Sequence, residues 1–159
     1  MRRSCATGPA DALGDRCAGS FAVALIDLDG LKEINDTCGH DAGDDALAAT
    51  ASALRAALRD GDLVARLGGD EFAILVRDAT LEAALLLTER ILAALPKPLT
   101  ASAGVAVWDG RETAVDLQRR ADKAMYAAKC GGKGPARLAG VHQRGADRNP
   151  RLAAGIGAA

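Results

Sequence analysis

Two pairs of carboxylates in this 159-residue chain stand beside apolar runs. Asp27 and Asp29 follow the run from Phe21 to Ile26, and Asp70 and Glu71 follow Gly68-Gly69 between "LVARL" (63–67) and "FAILV" (72–76). Two carboxylates from different strand ends, joined by a main-chain carbonyl, make a hard oxygen site. Such a site suits Mg²⁺, which takes few protein ligands and fills its octahedron with water and phosphate. Asp27 and Asp70 are the first choice of ligands, with the carbonyl of Leu28, while Asp29 and Glu71 stand close enough to assist. Taken singly, each acid would read as a solvated turn or cap residue. The pairing therefore depends on elements that bring the two strand ends together.

The sequence supplies such elements. "FAVALID" (21–27) is a continuous apolar run that suits a central strand buried on both faces. Leu47, Ala51, Leu54 and Leu58 recur on one helical face, with Gly61 shortly after. The runs 63–67 and 72–76 then flank Gly68-Gly69-Asp70-Glu71 as a hairpin, where glycine supplies positive φ without steric cost. A second helix follows Thr80 as N-cap, with Leu81, Leu85, Thr88, Leu92 and Leu95 on one face and Pro96 and Pro98 beyond it. "TASAGVAVW" (100–108) reads as a fourth strand whose small residues admit a neighbouring backbone or ligand. Thr113 and Asp116 form a capping-box signature for a last helix, in which Leu117, Ala121, Ala124, Met125 and Ala128 face inward and which Gly131-Gly132 ends.

The order predicts an α+β fold, a ferredoxin-like split βαβ (palm-type) antiparallel sheet flanked by helices. In that layout the first strand lies beside the hairpin's second strand, so Asp27 approaches Asp70. Residues 20–139 are expected to form the folded domain. Residues 1–19 read as a short N-terminal segment, and the Gly, Ala and Arg rich residues 140–159 as a disordered tail.

With 20 Lys and Arg against 21 Asp and Glu, no global field draws the chain to nucleic acid or anionic lipid, so any phosphate must be held locally. Cys5, Cys17, Cys38 and Cys130 lack zinc-site spacing and read as free thiols of a cytoplasmic protein. The most apolar run, "LEAALLLTERILAALP", is too short and too charged to span a bilayer.

The residues resemble one family, the GGDEF domain, the catalytic module of diguanylate cyclases. Gly68-Gly69-Asp70-Glu71-Phe72 is its name motif, and "DLDGLKEINDTCGHDAGDDAL" (27–47) follows the pattern D-x-D-x-F/L-K-x-x-N-D-x-x-G-H-x-x-G-D-x-x-L almost fully. "RADKAMYAAKCGGKG" (120–134) resembles its later A-D-x-A-M-Y-x-A-K signature, and "TASAGVAV" its S-x-G strand. The resemblance covers roughly residues 21–139.

The resemblance implies a signalling nucleotidyltransferase that condenses two GTP into cyclic di-GMP and two pyrophosphates, with Mg²⁺, or alternatively Mn²⁺, as cofactor. It assigns Asp27, Leu28 and Asp70 to metal, and Asp70 and Glu71 to catalysis, Glu71 as metal ligand or as activator of the 3′-hydroxyl. Asn35 and Asp44 would read the guanine edge, and Lys32, Lys129 and Lys133 would meet phosphates beside the main-chain N–H groups of the 28–32 turn. Without the motif, Asn35 and Asp44 read as an ordinary turn residue and helix-start acid. Arg59-Asp60-Gly61-Asp62 fits the family's R-x-x-D inhibitory product site at its usual spacing, with Arg90 completing it.

Two departures accompany the match. The family's D-x-L-T-G-L-x-N-R lead-in is at most a remnant, "DALGDR", and its G-R-N is Gly132-Lys133-Gly134. No sensory domain is seen, so the expected homodimer would rest on concentration, an unseen regulatory partner or bridging product. A catalytically silent receptor for GTP or cyclic di-GMP, and a palm-type cyclase making another nucleotide product, are the competing readings.

Overall fold

The computed structural model describes residues 20–130 and the backbone of residues 136–141. β1 (Phe21–Asp29) is the central strand that its unbroken apolar run predicts. A short helix α1 (Leu31–Cys38) follows, and Gly39 separates it from α2 (His40–Ala57). β2 (Leu63–Gly68) and β3 (Glu71–Arg77) form the hairpin, followed by α3 (Leu81–Ala93), β4 (Thr100–Val107), α4 (Ala114–Cys130) and β5 (Ala136–Val141).

The sheet order is β2-β3-β1-β4-β5. β1 is antiparallel to both β3 and β4, with Asp27 opposite Glu71 on one side and opposite Ser102 on the other. The four strands read from the sequence thus form the expected antiparallel split βαβ sheet. β5 adds a fifth strand, parallel to β4. It crosses the expected 139/140 boundary, so Gly140 and Val141 belong to the sheet rather than to a disordered tail.

The helices divide between the two faces. Leu31, Leu47, Leu54, Leu81, Ala84, Ile91 and Leu92 pack with Ile26, Phe72, Ile74 and Val105 on one face. On the other, Leu117, Ala121 and Met125 of α4 pack with Phe21, Leu25, Ala73 and Ala106. Strand side chains alternate between faces, which is why β1 must be apolar throughout.

Local chemistry fixes the helix ends. Thr80 Oγ1 accepts from the Ala83 N–H at 3.2 Å, and Thr113 Oγ1 accepts from the Asp116 N–H at 3.3 Å, as the caps predict. α2 ends earlier than its apolar spacing suggests: Leu58 is already extended, and Gly61, at φ +92°, turns the chain towards β2. Gly104 serves close approach by backbone. A Cβ there would lie 2.1 Å from the Ala121 carbonyl oxygen and 2.2 Å from the Met125 nitrogen.

Buried charge ties α4 to the loop before it. The Arg120 guanidinium pairs with Glu112 and donates to the Val107 carbonyl at 3.0 Å. Phe21 stacks on Trp108, ring centroids 5.0 Å apart, and the Trp108 indole N–H donates to the Glu112 carbonyl. The main-chain N–H groups of Glu112 and Arg111 bond the Asp109 carboxylate and hold its pKa below the usual value.

Candidate functional site

The acid-bearing end of β1 lies against the acid-bearing hairpin turn. The Leu28 N–H donates to the Asp70 carbonyl at 3.1 Å, which ties the end of β1 to the turn itself. Asp27 and Asp70 are half-buried, Glu71 is exposed as the first residue of β3, and Leu28 is buried. Thr100 Oγ1 donates to Asp29 Oδ2 at 3.4 Å, which turns Asp29 towards β4. Among the described residues no group of three or more His, Cys, Asp or Glu is gathered into a metal site.

The turn is shaped by main-chain demands. Gly69 has φ +51°, a conformation that favours glycine. Arg66 Nε and Nη2 both donate to the Gly69 carbonyl, at 2.9 and 2.7 Å, and clamp the turn from behind. The β2–β3 register shifts between Arg66 and Gly68, a bulge that gives the tip its bend. A Cβ on Gly68 would meet nothing within 4 Å, so the domain's own packing does not require glycine there. Sequence reasoning gave Arg66 no role; its place three residues before the carbonyl it holds was the available signal.

Two cationic features face this corner. Lys129 Nζ lies 2.8 Å from Asp27 Oδ2, with the Asp27 side chain 15% exposed. The residue expected to meet phosphate is therefore paired with the first metal-ligand candidate, a contact across a hundred residues that spacing cannot reveal. Gly30, in the left-handed region at φ +89°, leads into α1 with no side-chain cap. The first-turn N–H groups of a helix have no intrahelical acceptor, so this start presents donors to an anion. Lys32 is exposed on that turn. Lys133 lies outside the described residues, as do Cys5, Cys17 and His142.

Asn35 and Asp44 lie on α1 and α2, either side of the bend at Gly39. Asn35 is half-buried and Asp44 exposed.

Arg59, Asp62 and Arg90 gather elsewhere, around the end of α2. Arg90 Nη2 donates to the Ala57 carbonyl at 3.3 Å, and Arg59 donates to the Arg77 carbonyl while its Nε lies 3.6 Å from Asp62 Oδ2. The Asp62 side chain is 2% exposed and accepts from the Arg77 N–H at 3.1 Å, so it is already engaged with the end of β3. Six steps along β3 separate Arg77 from Glu71, about 20 Å at strand spacing.

A ferredoxin-like sheet whose central strand ends in an acid beside an acidic glycine turn defines a palm-type domain. The chain belongs to the GGDEF domain family: residues 10–135 match the family described as "Diguanylate cyclase, GGDEF domain". It is 40% identical over 128 residues to diguanylate cyclase DgcP of Pseudomonas aeruginosa, covering 74% of this chain and 19% of that protein. To diguanylate cyclase DgcM of Escherichia coli it is 41% identical over 124 residues, covering 73% and 30%. The chain thus spans less than a third of either relative. Among solved structures, a microbial GGDEF domain described in an interaction with cyclic di-GMP superposes with a TM-score of 0.73 at 39% identity, over 83% of this chain and 87% of that one. Among the described residues, no helix is long and apolar enough to cross a membrane.

Proposed function

We propose that this domain condenses two GTP into cyclic di-GMP, one GTP held by each of two copies. The observation that carries this reading is the junction of β1 with the hairpin turn, where Asp27, Asp70 and Glu71 share one corner with Lys129 and the open start of α1. Two carboxylates and the Leu28 carbonyl, all oxygen donors, fit Mg²⁺ or Mn²⁺. When bound, such a cation would supply charge neutralisation for the phosphates and the attacking oxygen.

The chain's own groups account for the rest. Within the Leu28–Lys32 turn the Leu28 N–H is taken by the Asp70 carbonyl, so the N–H groups at the start of α1, with Lys32 and Lys129, receive the phosphates, and Asn35 and Asp44 bond the guanine edge. The uncapped Gly68-Gly69 surface leaves room for a nucleotide to lie across the turn. Each 3′-oxygen then forms a bond to the other nucleotide's α-phosphorus, the α–β phosphoanhydride bond breaks, and pyrophosphate leaves. Glu71, exposed at the turn, takes the 3′-hydroxyl proton. Because one domain presents one such corner, two must face each other.

Purified protein at several concentrations, incubated with GTP and Mg²⁺ and resolved by chromatography, tests this. Cyclic di-GMP formed at a rate per protein that rises with concentration is the expected result. No product, together with tight cyclic di-GMP binding, would identify a receptor that kept the fold and lost the reaction.

Product feedback belongs to the same proposal. The side chains available to cyclic di-GMP at the R-x-x-D corner are Arg59, 62% exposed at its side chain, and Arg90, whereas buried Asp62 orients Arg59. At about 20 Å along β3 from Glu71, product there would act by holding domains apart rather than by touching the acids. Arg59→Ala is expected to raise the cyclic di-GMP concentration for half-inhibition by about tenfold, the loss of about 1.4 kcal/mol of guanidinium contact. An unchanged inhibition curve would remove Arg59 from the site.

A further inference from the structure

The bend between α1 and α2 holds a glycine whose backbone conformation does not demand one. Gly39 does: it stands at φ +87°, and its N–H donates to the Asn35 carbonyl at 3.0 Å, closing α1. Gly43 lies in the first turn of α2, is buried, and has no positive φ. Alanine is the better helix former at such a position. The space around Gly43 explains the choice. A Cβ there would fall 1.9 Å from Asn35 Oδ1, 2.9 Å from its Cγ and 3.3 Å from its Nδ2. The Asn35 amide therefore rests directly on bare α2 backbone, at the residue immediately before Asp44.

We propose that Gly43 is a specificity-positioning residue: the missing side chain seats the Asn35 amide beside Asp44, so that an amide and a carboxylate meet one polar edge of a purine base together. This rests on the reading of Asn35 and Asp44 as base readers. The atom that a Cβ would strike is the far end of one side chain, so Gly43→Ala relocates the amide without dismantling the helix pair. A seat that fixes the recognition group acts on base discrimination and leaves phosphate binding alone.

The experiment is a double-mutant cycle on nucleotide binding, read by fluorescence titration with a labelled GTP and competition by ATP and by inorganic tripolyphosphate. Gly43→Ala and Asn35→Ala are each expected to lower the preference for GTP over ATP about tenfold while tripolyphosphate competes as before. The double variant is expected to be no worse than Asn35→Ala, because no amide remains to displace. Its unfolding midpoint should exceed that of Asn35→Ala, since alanine then gains helix propensity without a clash. Losses that add in the double variant, or Gly43→Ala binding GTP like the wild type while Asn35→Ala does not, would overturn the role of Gly43. Wild-type GTP binding by Asn35→Ala would overturn the base-reader reading itself, and with it this proposal.

Discussion

Asp70→Asn is expected to purify as a folded protein and to form cyclic di-GMP at least about a thousandfold more slowly than the wild type. The turn's tie to β1 uses the main-chain carbonyl of Asp70, bonded by the Leu28 N–H, and its clamp from Arg66 uses the Gly69 carbonyl. Neither depends on the carboxylate, and the asparagine is nearly isosteric. What the substitution removes is one of two negative oxygen donors at the corner. Charge stabilisation of a transferring phosphoryl group supplies several kcal/mol, and about 4 kcal/mol corresponds to about a thousandfold. The thermal midpoint should move by no more than about 4 °C, the ordinary range of a substitution outside the core. Chromatographic product assay and thermal melting on the same preparation decide the matter: wild-type turnover would remove Asp70 from the catalytic corner.

Gly104→Ala is expected to be among the most destabilising single-methyl additions in the domain. The added Cβ would meet the Ala121 carbonyl oxygen at 2.1 Å and the Met125 nitrogen and Cα at 2.2 and 2.8 Å. All three are helix backbone atoms that cannot rotate aside, so α4 must lift from the sheet. That strips cover from Phe21, Leu25, Ala73 and Ala106. Overpacking of this kind costs about 3 kcal/mol or more, which lowers a urea midpoint by more than about 1 M. Lys129, on the same helix, would move away from Asp27, so turnover should fall in whatever fraction stays folded. Gly68→Ala is the contrasting variant, with open space around its Cβ; its urea midpoint should stay near that of the wild type while the turn loses room for a nucleotide. Equal midpoints for Gly104→Ala and wild type would refute the close packing.

The large-scale arrangement was legible because it follows from patterns of two and four residues. An apolar run as long as residues 21–26 belongs between two strands, and that placement alone carries Asp27 to the hairpin. The inward positions of α4 and both caps followed from helical spacing and hydroxyl chemistry. Other features rest on contacts that leave little trace in local composition. Residues 31–38 offer few apolar positions, so α1 has no apolar stripe to mark it as a separate helix. β5 has a short, small-residue sequence, and its place comes from parallel main-chain pairing with β4. Arg120 reads as a solvated helix charge until Glu112 is seen folded back onto it. The small residues of β4 announced a close neighbour; only the fold shows that at Gly104 the neighbour is α4 itself. At the candidate site, Asp27, Asp70 and Glu71 are read from strand ends and the Arg66 clamp lies within one hairpin, three residues from the carbonyl it holds, whereas the contact of Asn35 with Gly43 exists only once α1 and α2 have folded onto each other.

The position of β1 also sets a timetable. It is synthesised before the strands on either side of it, which span residues 71–77 and 100–107. At about 5–20 residues per second, a ribosome delivers residue 107 about 4–16 seconds after residue 29. For the first part of that interval, until residue 77 is made, the most apolar strand of the sheet has neither flank in place, and until residue 107 its edge towards β4 stays bare, where wrong pairing begins. The strand that places Asp27 at the heart of the domain is thus also the one whose exposure during birth lasts longest.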